Sequence, residues 1–319
     1  MQYFWIMTIK LKYWVCLAWL CLIPCLGNAA TPLIVASFSE ALYLSSDGSV
    51  WGTGSVPGYD PGAVSPVRLF NNFPNVKSIA TSSGNYFALL TDGTVWAYGS
   101  GLLGDGTTLG KQQPQQVPGL TGVTAISALD HVLALKVDGT VWAWGLNRSG
   151  QLGDGTTIDR ASPIQVPGLS NVVRIVTAVD ESIALKSDGT VWRWGAKATF
   201  CNSADTEMYS LIPTQLPGMG QIVDIAGGSR HWLGLRADGT VWGVGDNSFG
   251  QLGIGDQNAQ CNAIQIPGLN NVVALQTRGA FSSLALKADG TVWGWGYNNK
   301  GQLGVAGATY ARSPFVNPK

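Results

Sequence analysis

Few side chains in this 319-residue chain could do covalent or metal chemistry. It has two histidines, His131 and His231, and five cysteines. His131, Glu181 and His231 recur at regular spacing, so their residue types raise the question of a metal. No HExxH, no paired Cys and no close carboxylate cluster accompanies them, so no metal site is expected. There is no G-x-S-x-G elbow, no P-loop and no G-x-G-x-x-G after a strand. The chain reads as a binding protein, not an enzyme, and no cofactor is expected.

The six commonest-context carboxylates, Asp47, Asp92, Asp138, Asp188, Asp238 and Asp289, each precede Gly. An Asp-Gly pair between two alternating runs is a hairpin signal, because both residues tolerate positive φ. The phrase DGTVW or its Ser variant therefore marks six hairpins, 45 to 51 residues apart. A period of that size signals a propeller or a solenoid. Runs such as Ser182–Lys186 and Thr190–Trp194 alternate and are rich in β-formers. Trp142 and Trp144, Trp192 and Trp194, and Trp293 and Trp295 each share one face of a strand. A sheet with indoles on one face needs a neighbouring sheet to cover it.

Composition supports a folded, all-β chain. Charged residues are only 12% and hydrophobic residues 45%, which excludes a solvated disordered chain. Lys plus Arg equals Asp plus Glu at 19 each, so no basic surplus exists for a nucleic-acid partner. The first 29 residues read as a signal peptide: Lys10 and Lys12, an apolar run from Tyr13 to Leu26, then Gly27 and Ala29 at −3 and −1. The run is 14 residues, short of the roughly 20 that a spanning helix needs, so a membrane anchor is the lesser reading and a soluble, secreted or periplasmic monomer is expected. Residues 30–319 form one domain of six repeats. They keep two cysteines, Cys201 and Cys261, which an exported chain is expected to bridge.

The unit VV-x-IAAG-x-x-HSLAL-x-x-DGTVW-x-WG-x-N-x-x-GQLG, followed by P-x-x-VPGL, resembles the repeat of the regulator of chromosome condensation family. The likeness runs over residues 32–319 and is specific in GLNRSGQLGDGTT (145–157), GDNSFGQLGIG (245–255) and GYNNKGQLG (296–304). It implies a β-propeller of four-stranded antiparallel blades. Family members usually have seven; six hairpins and six downstream runs are counted here and the chain begins and ends in phase, so six blades in a closed ring are expected, with an open arc lacking one blade as the alternative.

Positions that differ between copies are free to bind. Seven residues before each hairpin Asp stand Glu40, Asn85, His131, Glu181, His231 and Ser282, where the family favours His; Asp130, Asp180 and Arg230 precede three of them. Two readings stand: a polar docking ring around one channel mouth, or ordinary turn and strand-start residues. A second set lies in the long loops: Tyr59, Arg148, Phe200, Tyr209, Phe249 and Lys300. Aromatic and Arg side chains there either anchor a partner or fold back as satellite clusters. Three functions remain open: an exported protein-binding propeller, similar in logic to secreted family members that inhibit β-lactamases; guanine nucleotide exchange on a small GTPase; or carbohydrate or cell-wall binding.

Overall fold

The structure, a computed structural model, describes residues 33–36, 40–54, 66–70, 73, 75–82, 84–196, 209–278, 281–305 and 309–316. Among them there are six four-stranded antiparallel sheets and no helix. Each sheet is a plain meander, so its strands are hydrogen-bonded in chain order. Blade one spans 33–69, blade two 76–116, blade three 123–165, blade four 172–215, blade five 222–265 and blade six 272–316. The first strand of each is the inner one; those of blades two to six pack against one another around a central channel.

Local chemistry sets each hairpin between the second and third strands. Asp138 Oδ1 accepts from the backbone N–H and the hydroxyl of Thr140 at 3.0 and 2.6 Å. The same pair of bonds recurs at Asp92, Asp188, Asp238 and Asp289. The hydroxyl bond first, then the backbone bond, holds these carboxyls below the usual carboxylate range. Gly139 takes φ 76°, and a Cβ there would lie 3.0 Å from the Asn171 nitrogen. The hairpin tip thus abuts the next blade, and Val172 N–H donates to Gly139 C=O at 3.1 Å. The six Asp-Gly turns are hairpins, as their sequence requires.

The core lies between blades. Five buried clusters sit at the seams one–two, two–three, three–four, four–five and five–six. Trp144, Trp194, Trp232 and Trp295 are among the largest fully buried side chains. The first indole of each VW pair behaves differently. Trp142, Trp192, Trp242 and Trp293 are only half-buried, each under a cation: Lys136, Lys186, Arg236 and Lys287 at 3.9 to 5.3 Å from the ring. These four indoles also pack against the seam clusters, though each is only partly buried.

No sixth cluster joins blade six to blade one among the described residues. Val292 is 38% exposed, whereas its blade-five counterpart Val241 is fully buried. On blade one, Tyr43 stands where blades two to six carry Ala88, Ala134, Ala184, Gly234 and Ala285, and it is 43% exposed. Thr53 occupies the place of the buried Trp295. Blade one thus lacks both the small residue and the Trp that blades three, four and six carry at these positions.

Candidate functional site

The second strand of blade three, His131–Lys136, begins at the first histidine, and that of blade five, His231–Arg236, at the second. Both imidazoles are fully buried. His131 Nε2 lies 2.6 Å from Ser182 Oγ of blade four. Ser182 Oγ donates to Gln151 C=O at 2.7 Å, and Trp194 Nε1–H donates to the same carbonyl at 2.9 Å. The Ser hydrogen is thereby committed, so the network assigns the histidine proton to Nε2. The arrangement repeats one turn on. His231 Nε2 is 2.9 Å from Ser283 Oγ, which with Trp295 Nε1–H donates to Gln251 C=O at 2.9 and 2.8 Å. Burial pushes His131 down to about 3 and His231 down to about 4, with Asp246 opposing in the second case. Both rings are neutral stitches between blades.

This corrects the docking-ring reading for three of its members. His131, His231 and Glu181 are all buried and none is presented to a partner. Glu181, in the histidine's place in blade four, faces Arg193 at 3.6 Å. Burial pushes the Glu181 carboxyl up to about 7, the Arg193 guanidinium opposing. Asn85 turns inward on its own turn: its Oδ1 accepts from Ser100 N–H at 2.8 Å and its Nδ2 donates to Gly101 C=O at 2.8 Å. Asp130 and Asp180 are half-exposed and Arg230 is exposed on the inner rim. Glu40 opens the second strand of blade one, Glu40–Leu44. Gly145 takes φ 107° across from His131, and a Cβ there would lie 2.9 Å from the His131 Cα, so the strand pair requires glycine opposite the histidine.

The loop set divides. Arg148 and Lys300 are exposed at matching turns of blades three and six. Phe249 is half-buried, its ring 4.8 Å from Phe281 and 4.8 Å from Tyr297. Tyr209 is not in a loop; it starts the outer strand Tyr209–Gln215 and is 39% exposed. Cys261 likewise belongs to the outer strand Gln260–Gln265. Tyr59, Phe200 and Cys201 lie outside the described residues.

Residues that the sequence reading left as spacers hold these loops. Asn147 and Asn247 are fully buried; Asn147 Nδ2 donates to Thr156 C=O and Ile158 C=O, and its Oδ1 accepts from Leu152 N–H at 2.9 Å. Asn298 repeats the last bond to Leu303 at 2.9 Å. The signal for them was the recurrence of N-x-x-G-Q-L-G itself. Its Gln carbonyl makes the interblade hydrogen bonds. The central channel holds a cavity of about 480 Å³ between the inner strands of blades three to six. Ser127 and Thr177 hydroxyls meet there at 2.9 Å, and Arg174 pairs with Asp224 at 2.7 Å. Burial raises the Asp224 carboxyl, with Arg174 opposing. No group of three or more His, Cys, Asp or Glu fit for a metal occurs among the described residues.

Fold and site together define a blade-repeat scaffold whose shared polar residues hold the blades together. Comparison with known proteins agrees. The Regulator of chromosome condensation (RCC1) repeat is matched at residues 138–185, 238–286 and 289–316, and a second description of that repeat at 222–251 and 272–302. The matched segments are RCC1 repeats, and the chain has the β-propeller fold. Yeast RCC1 (Prp20) in complex with Kap60 superposes with a TM-score of 0.78 at 20% identity, over 90% of this chain and 74% of that one. Prp20p from Saccharomyces cerevisiae, in a study of its binding to Gsp1p and histones, gives 0.75 at 21% identity over 90% and 76%. Human WBSCR16 gives 0.76 at 21% identity over 91% and 83%. At these identities the likeness is one of fold. The probable E3 ubiquitin-protein ligase HERC3 of Homo sapiens is 39% identical over 72 residues, 22% of this chain and 7% of that protein.

Proposed function

We propose that this chain is an exported, monomeric propeller that binds a protein partner through the loops carrying its N-x-x-G turns. The observation that carries the reading is the division of labour among side chains. The shared polar residues are used up inside: His131, Ser182 and Gln151 in one seam, His231, Ser283 and Gln251 in another. The copy-specific residues Arg148 and Lys300 stand exposed on turns that buried Asn147 and Asn298 hold in place, and Tyr209 stands exposed at the start of an outer strand. Rigid loops bearing aromatic and basic groups are what protein interfaces use. Export rests on the basic residues, apolar run and small-residue site in 1–29, with cleavage after Ala29.

A Cys201–Cys261 disulfide belongs to the same proposal. The loops of blades two, three and five each reach the outer strand of the next blade. Gly106 N–H donates to Ala161 C=O, Gly155 N–H to Leu211 C=O, and Gly255 N–H to Arg312 C=O, at 2.9 to 3.0 Å. Cys261 occupies in blade five the place of Ala161, Leu211 and Arg312, where the blade-four loop bearing Cys201 is due, and Cys261 is a disulfide half.

The test is affinity capture. Tagged protein, recovered from the periplasm or culture supernatant, is crosslinked and its bound proteins are identified by mass spectrometry. A stoichiometric partner that is lost on Arg148→Glu with Tyr209→Ser, at unchanged melting temperature, supports the reading. No partner, with accelerated nucleotide release from a GTPase or retention on a polysaccharide resin, overturns it.

A further inference from the structure

We infer that the rim where blades five and six meet takes an acidic protein segment carrying an aromatic or branched aliphatic side chain; this rests on the protein-binding reading above. Phe249, Phe281 and Tyr297 form one aromatic trio, with centroids 4.8, 4.8 and 6.3 Å apart. Phe249 comes from the blade-five loop, Phe281 from the turn before the second strand of blade six, and Tyr297 ends its third strand, Val292–Tyr297. All three remain half-buried, unlike the indoles of the seams. The trio is fixed from beneath. Tyr297 N–H donates to Phe281 C=O at 2.8 Å, and Phe249 N–H to Gln251 Oε1 at 2.9 Å. A preorganised aromatic patch loses little entropy on binding.

Charge names the partner. The rim cations of earlier blades are neutralised within their own loops: Lys111 by Asp105 at 3.2 Å and Arg160 by Asp154 at 2.6 Å. Blade six has Ala311 in the place of those two cations, and its residues 301–312 contain no Asp or Glu. Lys300 and Arg312 are exposed, and neither has a carboxylate partner among the described residues. Arg312 adjoins the trio: a Cβ on Gly250, next to Phe249, would lie 2.8 Å from the Arg312 Cα. Its guanidinium rests 5.4 Å over the Tyr310 ring and donates to the Tyr310 hydroxyl at 3.2 Å, which holds the charge at the surface. Uncompensated cations beside aromatic surface select a carboxylate-rich segment with an apolar anchor.

The experiment uses fluorescein-labelled synthetic decapeptides and the purified protein, read by anisotropy. One peptide is Asp/Glu-rich with a central Phe, the second replaces that Phe with Ser, and the third replaces every acid with Lys. The first is expected to bind, and the other two about tenfold or more weakly. About 0.5 M salt should weaken the first. Phe249→Ser, and separately Lys300→Glu with Arg312→Glu, should each weaken it about tenfold at unchanged melting temperature. Equal binding of the three peptides, no binding up to about 1 mM, or indifference to both variants overturns the inference. The Lys300→Glu, Arg312→Glu protein also goes into the capture experiment. A partner held equally by it overturns the rim assignment and leaves the protein-binding reading intact, while no partner on the parent protein overturns the latter.

Discussion

The seams three–four and five–six and the seam four–five solve one packing problem in two ways. In the first pair, a buried His, a Ser from the next blade, a Gln carbonyl and an indole N–H form a closed set of hydrogen bonds. At seam four–five all the corresponding residues change together. Glu181 replaces His, Trp232 replaces Ser, Val244 replaces Trp, and residues 197–208 take the place of the N-x-x-G-Q turn. Ser182 faces Trp194 across its strand pair; Trp232 faces Val244. The large side chain has moved to the neighbouring strand, so the volume is kept while the polar set is not. Arg193 stands where blades three and five have Ala143 and Gly243 and meets Glu181. Removing one member of such a stitch is costly, because a donor left alone inside costs more than the bond gains.

The largest expected effect lies at the altered seam. On the proposed pairing, the disulfide closes about 60 residues, and its loss in Cys201→Ser should cost about 4 kcal/mol by the chain-entropy model. A urea midpoint equal to that of the parent protein would remove the covalent staple from the comparison. Next come the stitched seams. Ser182→Ala leaves the His131 Nε2–H buried without an acceptor and should cost about 1 to 3 kcal/mol, as should Ser283→Ala for His231. Equilibrium unfolding measures both. If either is neutral, the stitch adds nothing that apolar packing does not.

The pH dependence separates the two kinds of seam. The histidines titrate lower when folded, at about 3 and 4, so the unfolded chain binds more protons below its own histidine range. Their contribution is present above that range and is lost as pH falls toward the folded values. Glu181 titrates higher when folded, at about 7. Its contribution is present below the unfolded carboxylate range and is lost as pH rises through about 7. Between pH 4.5 and 6.5 the two histidines outweigh the one carboxyl, so stability should rise with pH in the parent protein and rise more steeply in Glu181→Gln. Urea midpoints at successive pH values give the slope, and an unchanged profile would mean that Glu181 is not the group opposing the histidines. Smallest is the outer cation ladder. Lys287→Met, removing the ammonium 4.0 Å over Trp293, should cost about 0.5 to 1 kcal/mol, and less in high salt.

The Asp-Gly hairpins, the six units and the buried indoles Trp144, Trp194 and Trp295 were legible because each depends on neighbours within a few residues or on strict repetition. The histidine stitch was not. His131 and Ser182 are 51 positions apart, and Gln151 takes part through its carbonyl, which every residue type possesses. The variable histidine position therefore looked like surface, although its variation follows the neighbouring blade. Phe249 was recognisable as an aromatic in a loop; its contact with Phe281 and Tyr297 depends on a turn and a strand from the next repeat.

Taken alone, the chain of residues determined the β-blade, its hairpins, its count of six and its near-zero net charge, since turn chemistry and side-chain alternation act at short range. Folding decided which polar groups face inward, which of each pair of indoles is covered, and that Arg312 stands exposed beside the Phe249 turn. Those outcomes depend on what the adjacent blade supplies at each position, and burial and charge pairing exist only once two blades are in contact.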